Sequence, residues 1–303
     1  MHGILPLWKE KGMTSHDCVF KLRKILGTKK VGHTGTLDPS VEGVLPICIG
    51  QATRIAEYIT DSGKEYVAVV SIGSSTETED ADGEIVENDD SVKRISRKEI
   101  EQVLQQLTGE ITQIPPMYSA VKVNGKRLYE YARKGIEVER PERKVMIHEI
   151  ELLSEESLFQ GESVQFTIRI KCGKGTYIRT LAVQIGELLG YPAHMATLIR
   201  TMSGTYEKED CFTLGEVAQK KAEDRVDTCL RPVETALHDF PFIEVDGEMY
   251  VKIKNGQVLP AYSELESARK LVFTKNNRAL AVYIMHPTKV GLMKPEKMFP
   301  IKE

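Results

Sequence analysis

Residues 162 to 172 alternate without a break: Val164, Phe166, Ile168, Ile170 and Cys172 fall on one side, Gln165, Thr167, Arg169 and Lys171 on the other. A period of two puts successive side chains on opposite faces, so this segment is a strand with one face in a core and one in water. Strands of that kind belong to antiparallel sheets, because parallel sheets are covered on both faces and read as unbroken apolar runs. The strand enters Gly173-Lys174-Gly175 and then a helix from about Thr176 to Leu189, stopped by Gly190 and Pro192. Nowhere does the chain show the βαβ regularity of a nucleotide-binding sheet. The expected fold class is α+β, with a mixed, largely antiparallel sheet.

The remaining elements fit that class. Gly3 to Trp8 reads as a short apolar strand, and Thr14-Ser15 can cap a helix whose Val19, Leu22, Ile25 and Leu26 share a face until Gly27 ends it. A helix is expected near 51 to 60, a strand from Tyr66 to Ile72, and a helix opened by the capping box Ser96-Arg97-Lys98-Glu99 and running to about Leu107. Asn124-Gly125 signals a hairpin, followed by a tyrosine-rich helix. Past about residue 240 the pattern changes to short strands with turns at Asn255-Gly256 and Asn276-Asn277, which predicts a small all-β module. We therefore divide the chain into a larger domain, 1–238, and a small module, 239–303.

A formal charge of -3 argues against a nucleic-acid partner only if charge is evenly spread, and it is not. Residues 77 to 90 hold eight acidic side chains and no basic one, which reads as a solvated face. Residues 9 to 30 carry Lys9, Lys11, Lys21, Arg23, Lys24, Lys29 and Lys30, either a phosphate-facing surface or plain solvation. The five cysteines form no Cys-x-x-Cys pair and the seven histidines no i, i+4 pair, so neither a disulfide framework nor a zinc site is expected. With no apolar run near the roughly 18 residues of a membrane span, and no secretory h-region at the start, a cytoplasmic protein without membrane attachment is expected.

Residues 28 to 46 read as a long loop, and such loops inside compact domains are usually functional. Within it, Gly32-His33-Thr34-Gly35-Thr36-Leu37-Asp38-Pro39 packs two glycines, an imidazole, two hydroxyls and one carboxylate into eight positions. Neither this loop nor Gly173-Lys-Gly-Thr176 has the spacing of a phosphate-cradling loop. By itself, Asp38-Pro39 reads as well as the start of a turn. Arg179 at a strand-to-helix junction and Tyr66 at a strand start have equally plain readings, as a surface ion pair and as sheet packing.

Taken together the stretches closely resemble the TruB family of tRNA pseudouridine synthases. The matching segments are Gly32–Pro39 continuing to Gly43-Val-Leu-Pro46, Lys64-Glu-Tyr66, Thr76–Gly83, Ile114–Lys122, Leu128–Gly135 and Lys174–Thr180, in family order over roughly residues 3 to 205. The resemblance implies that Asp38 is the catalytic aspartate, Tyr66 the base-stacking tyrosine, and Tyr177 and Arg179 the second active-site tyrosine and arginine. It places a pocket leucine at Leu198 and, at His33, the histidine that helps displace the target nucleotide; Lys9 and Asp80 are carried over as substrate-binding positions. It further implies isomerisation of uridine-55 in the TΨC loop of tRNA by base flipping, with no cofactor, metal or guide RNA, in a monomer with a PUA-like, RNA-binding C-terminal module. A role in tRNA folding is compatible with it.

The reaction breaks the N1 glycosidic bond, turns the base over and joins its C5 to ribose C1′, so nothing is oxidised and one carboxylate suffices, unlike the acid and base of glycoside hydrolysis. Asp38 must stay ionised in a pocket dry enough for a base, and Arg179 is its natural partner. RNA contact is expected around Lys122, Lys126, Arg127, Tyr129, Tyr131, Arg133 and Lys134. Two departures stand out. Lys9-Glu10-Lys11-Gly12 replaces the family's Lys-Pro, which predicts a looser loop, and Val41 stands where a small residue is more usual. An RNA-guided relative of dyskerin is disfavoured by the tail Pro300-Ile-Lys-Glu303, and a non-catalytic RNA binder by the presence of Asp38, Tyr66, Tyr177 and Arg179.

Overall fold

The structure, a computed structural model, describes residues 1 to 299; the Pro300–Glu303 tail weighed above lies outside the described residues. Seven strands form the spine of one sheet: β1 (Gly3–Lys9), β2 (Glu42–Ile49), β3 (Lys64–Ile72), β4 (Gly109–Gln113), β5 (Arg143–Leu152), β6 (Val164–Cys172) and β7 (Ala193–Ser203). Their spatial order is β1-β2-β7-β3-β6-β5-β4. Every neighbouring pair is antiparallel except β2 and β7, which meet in parallel at Ile199–Glu42 and Arg200–Gly43. The fold is thus the α+β class expected, with a mixed and largely antiparallel sheet.

The alternating strand is β6, and its apolar face is buried as the period requires. That face joins one core cluster with α1 (Ser15–Leu26), α2 (Arg97–Gln106) and α3 (Ile178–Leu189) through residues such as Leu22, Ile100, Val103, Leu181 and Ile185. The Thr14–Asp17 and Ser96–Glu99 capping boxes both form, and Gly27 closes α1 in the left-handed conformation at φ 65°.

Four local expectations change. The loop shrinks to residues 34 to 41, because Val31–His33 pairs with β2, and β2 is buried on both faces and so shows no alternation. The helix near 51 to 60 is a 3₁₀ turn, Gly50–Ile55, leading into the helix Ala56–Asp61. The last 60 residues are not all-β: a five-stranded sheet carries the helix Gly247–Lys254, and Asn255-Gly256 closes that helix instead of a hairpin. Asn276-Asn277 is the expected turn, both residues at positive φ between Leu271–Lys275 and Arg278–Met285.

The two parts of the chain share a core. Val272, Ala279, Val282 and Phe299 cluster with Ile4, Val44, Cys48 and Tyr58. Around that seam the Glu296 carboxylate accepts from the Tyr58 hydroxyl and pairs with Lys270, Arg54 donates to the Met298 carbonyl, and Lys297 lies 2.7 Å from Glu57.

Candidate active site

A cavity of about 630 Å³ opens where the 34–41 loop, the start of β3, the end of β7 and the start of α3 converge. His33, Asp38, Tyr66, Tyr177, Arg179 and Leu198 all line it. These six came from four separate stretches of sequence, and the sheet brings them to one place.

The loop is tied down from several sides. The Leu37 amide donates to the Ser15 hydroxyl at the start of α1 (2.9 Å), the Thr34 hydroxyl donates to the Pro46 carbonyl (3.0 Å), and the Thr60 hydroxyl donates to the Thr34 carbonyl (3.0 Å). Asp38 closes a turn by accepting the Val41 amide on its carbonyl (3.1 Å), while its side chain remains about one-third exposed to the cavity.

Arg179 sits in the first turn of α3, almost fully buried, and both terminal nitrogens of its guanidinium are engaged. Nη2 lies 3.1 Å from Asp38 Oδ2 and donates to the Tyr118 carbonyl at 2.9 Å; Nη1 donates to the Thr78 carbonyl at 3.1 Å and stands 3.5 Å from Asp80 Oδ2. The fork matches two carboxylates and two carbonyls at once, which an ammonium cannot do. Burial pushes the Asp38 carboxyl above the ordinary carboxylate range; Arg179 opposes the rise and Asp80 adds to it.

Asp80 and Lys9, expected as substrate-binding positions, do not line the cavity. Asp80 is 7% exposed, and its second oxygen accepts from the Thr78 hydroxyl and the Asp82 amide, so it orients Arg179 from behind. Lys9 is fully buried, its ammonium donating to the carbonyls of Met13 (2.6 Å), Glu10 (3.0 Å) and Pro39 (3.4 Å). It therefore fastens the loop beside Asp38 and does not reach the cavity. The Gly12 amide donates to the same Pro39 carbonyl at 2.8 Å, so the segment without the family's proline is held by hydrogen bonds. Val41 is buried in the main core and lines the cavity.

The acidic run divides in the same way. Ile85–Asn88 is exposed, but Glu79, at φ 63°, turns inward to accept the Thr180 hydroxyl (2.7 Å) and stands 4.0 Å from Arg140. A run of like charge looked solvated because Arg140 and Arg179, which meet Glu79 and Asp80, lie 61 and 99 residues away in sequence.

Tyr66 is 8% exposed and Leu198 9%, both on the sheet face that floors the cavity. The Tyr177 backbone is clamped by Gln113, whose Oε1 accepts the Tyr177 amide (2.9 Å) and whose Nε2 donates to its carbonyl (3.2 Å). His33 Nδ1 accepts the Gly35 amide at 3.4 Å, and burial lowers the imidazole's pKa, favouring a neutral ring suited to stacking. Arg127 and Tyr129, from the hairpin and helix predicted for RNA contact, reach the cavity rim, where Arg127 and Arg133 both lie within 6 Å of the Tyr129 ring centre. Of the basic 9–30 run, Lys9 and Arg23 are engaged by backbone carbonyls.

Three cavity-lining cations had no role assigned from sequence, Lys64, Lys174 and Arg200, of which Lys174 pairs with Asp61 at 2.9 Å. Nothing in the local sequence marked Arg200, which sits on a strand that also carries His194, Thr197, Thr201 and Ser203. Among the described residues no group of three His, Cys, Asp or Glu side chains is placed to hold a metal, and no helix is long and apolar enough to cross a membrane.

The fold that carries this cavity is that of the pseudouridine synthases. The chain belongs to the TruB family: residues 23–178 match the N-terminal domain of TruB family pseudouridylate synthases, and residues 179–238 the tRNA pseudouridylate synthase B C-terminal domain. It is similar to the tRNA pseudouridine synthase B of Geobacillus thermodenitrificans (strain NG80-2), 56% identical over 99% of this chain and 100% of that one. The enzyme of the same name from Listeria innocua is 55% identical over the full length of both. Among solved structures, one chain of a Cbf5-Nop10-Gar1 complex superposes with a TM-score of 0.73 at 27% identity, covering 98% of this chain and 85% of that one. A chain of an H/ACA RNP bound to a substrate RNA containing 2'-deoxyuridine gives 0.71 at 25% identity, over 99% and 85%.

Proposed function

We propose that this enzyme converts uridine-55 in the TΨC loop of tRNA into pseudouridine, with Asp38 as the essential carboxylate and without cofactor or guide RNA. The observation that carries the reading is the Arg179–Asp38 pair at the bottom of a cavity whose volume falls within the roughly 300–1,000 Å³ of small-ligand pockets. A stacked base cannot reach such a depth, so the nucleotide is flipped out, Tyr66 receives the ring and His33 fills the stack it leaves. Tyr177 and Leu198 confine the base from the sides. The cationic and aromatic rim of Arg127, Tyr129 and Arg133 faces the RNA, the C-terminal module adds contact area, and the working unit is a cytoplasmic monomer.

The test is tritium release from a tRNA transcript labelled at uridine C5, comparing the protein with Asp38→Asn and with EDTA present. Release that survives EDTA and is absent from Asp38→Asn, whose tRNA affinity stays near that of the parent, supports the reading. Binding without release by the parent overturns it in favour of an RNA-folding protein, and release that needs an added guide RNA assigns the chain to the guided class.

A further inference from the structure

Arg200 on β7 lies directly across from Tyr66 on β3 and, on its other side, from Gly43 on β2. The space is tight: a Cβ on Gly43 would come within 2.3 Å of the Arg200 carbonyl, so only glycine admits β7 this close. Arg200 is 1% exposed yet its side chain lines the cavity. Its Nε donates to the Val44 carbonyl at 2.7 Å, while Nη2 is sealed from solvent with no acceptor at all. Nη1 points toward the catalytic loop, 3.6 Å from where a Gly35 side chain would begin.

Lys64 stands two residues before Tyr66 on the same strand and therefore on the same face. It too is buried, giving two of its three N–H groups to the carbonyls of Thr60 (2.8 Å) and Ser62 (3.0 Å). Among the described residues neither cation has a carboxylate within ion-pair distance, in contrast to Arg179, which has two. Burying an uncompensated charge is costly, and an unmet buried donor is rare enough in folded proteins to call for a cause. The fold accepts both on the face where the base is received.

Resting on the reaction proposed above, we propose that Arg200, with Lys64 beside it, stabilises the uracil anion released when the glycosidic bond breaks. When N1–C1′ breaks, its electron pair leaves with the base. The deficit at C1′ is filled by the Asp38 carboxylate, or by electrons released as Asp38 takes a ribose proton. By either route one negative charge passes from Asp38 to the uracil ring. Joining C5 to C1′ returns the charge to Asp38, and the proton lost from C5 is balanced by one gained at N1. The intermediate therefore carries its charge over the Tyr66 face, away from Arg179 and toward the two cations that lack a counter-ion. Fixed charges aimed at where charge develops need no reorganisation during the step. The close mutual approach of Arg200 and Lys64 is also felt before substrate arrives, since burial first and Arg200 second hold the Lys64 ammonium down to about 8.

The experiment compares the full-length protein with Arg200→Gln, Arg200→Lys and Lys64→Gln in single-turnover tritium release, tRNA filter binding and thermal melting. Arg200→Gln is expected to slow release by about 100-fold or more with affinity within about threefold of the parent. Arg200→Lys, which keeps the charge, is expected to recover at least about tenfold of that loss, and Lys64→Gln to be about tenfold slow. An Arg200→Gln rate within about threefold of the parent overturns the inference. So does a loss confined to affinity, which would make Arg200 a phosphate contact, or an Arg200→Lys rate equal to that of a folded Arg200→Gln. Should Arg200→Gln fail to fold, Lys64→Gln decides: a parental rate overturns the inference. A parent that releases no tritium refutes the proposed reaction itself, whereas an active parent matched by Arg200→Gln refutes only this inference.

Discussion

Nη2 of Arg179 is 3.1 Å from Oδ2 of Asp38 and donates to the Tyr118 carbonyl at 2.9 Å, so one nitrogen joins the Asp38 carboxylate to the 114–142 segment. Both contacts need the planar fork. Arg179→Lys keeps the charge but loses at least two of the four interactions, and it is expected to lower kcat by about 100-fold while leaving the circular dichroism spectrum unchanged. Since the charge of Arg179 lowers the Asp38 pKa, the acid limb of the rate profile is expected to move to higher pH in Arg179→Gln, which removes that charge.

Asp80→Asn is expected to shift the acid limb the other way. Asp80 raises the Asp38 pKa by like-charge repulsion, so removing its charge lets Asp38 ionise at lower pH. A fall in rate of about tenfold at neutral pH accompanies it, because Arg179 loses its rear support. A pH–kcat series on parent and variant checks both, and a limb that stays in place would detach Asp80 from the site.

Lys9→Met should behave as a stability mutant. Deleting the buried ammonium leaves the Glu10 and Met13 carbonyls without that donor, while Pro39 keeps the Gly12 amide, at a cost of about 2–4 kcal/mol in urea unfolding. The tRNA affinity of the folded fraction is expected to remain within about twofold of the parent, which a direct substrate contact would not allow.

Lys64 sets the alkaline side. Its ammonium, lowered to about 8, is held down by burial, Arg200 and Lys174 and pulled up by Cys172 and Asp61, so the rate is expected to fall as pH rises through about 8. Stability moves oppositely. From about pH 8 to the unfolded lysine value near 10.4 the unfolded chain binds more protons, so this group's contribution to stability rises with pH over that window. Lys64→Arg, which does not titrate there, is expected to remove that alkaline limb from the pH–kcat series.

The sequence displayed what local periodicity and short-range chemistry encode. β6 could be read because its two faces meet different environments, and α1 and α2 because their capping boxes lie within four residues. β2 escaped notice because a strand buried on both sides loses alternation, and it was absorbed into a supposed loop; β7 does alternate in burial, but its buried positions include Arg200 and Ser203 beside the apolar Met195 and Leu198, so no apolar period shows. Of the site, Asp38, Tyr66, Tyr177, Arg179, Leu198 and His33 were reached through family likeness, and the sheet then gathered them. Lys9 and Asp80, which lie outside the cavity lining, share a feature: a charged side chain in a motif looks the same whether it meets a ligand or the protein's own backbone and guanidinium. Arg200 was hidden for the converse reason, since nothing local marks an arginine whose neighbours are a tyrosine 134 residues earlier and a glycine 157 residues earlier.

The seam between the last strands and the sheet bears on how the molecule comes apart. Phe299, Val272 and Val282 complete the packing around Ile4, Val44 and Cys48, so a cut at residue 238 would strip the cover from β1 and β2, the strands that shoulder the catalytic loop. Heat should thus find no hinge to open first: calorimetry is expected to record a single peak, with van't Hoff and calorimetric enthalpies in agreement, for what a reader of the chain would count as two domains.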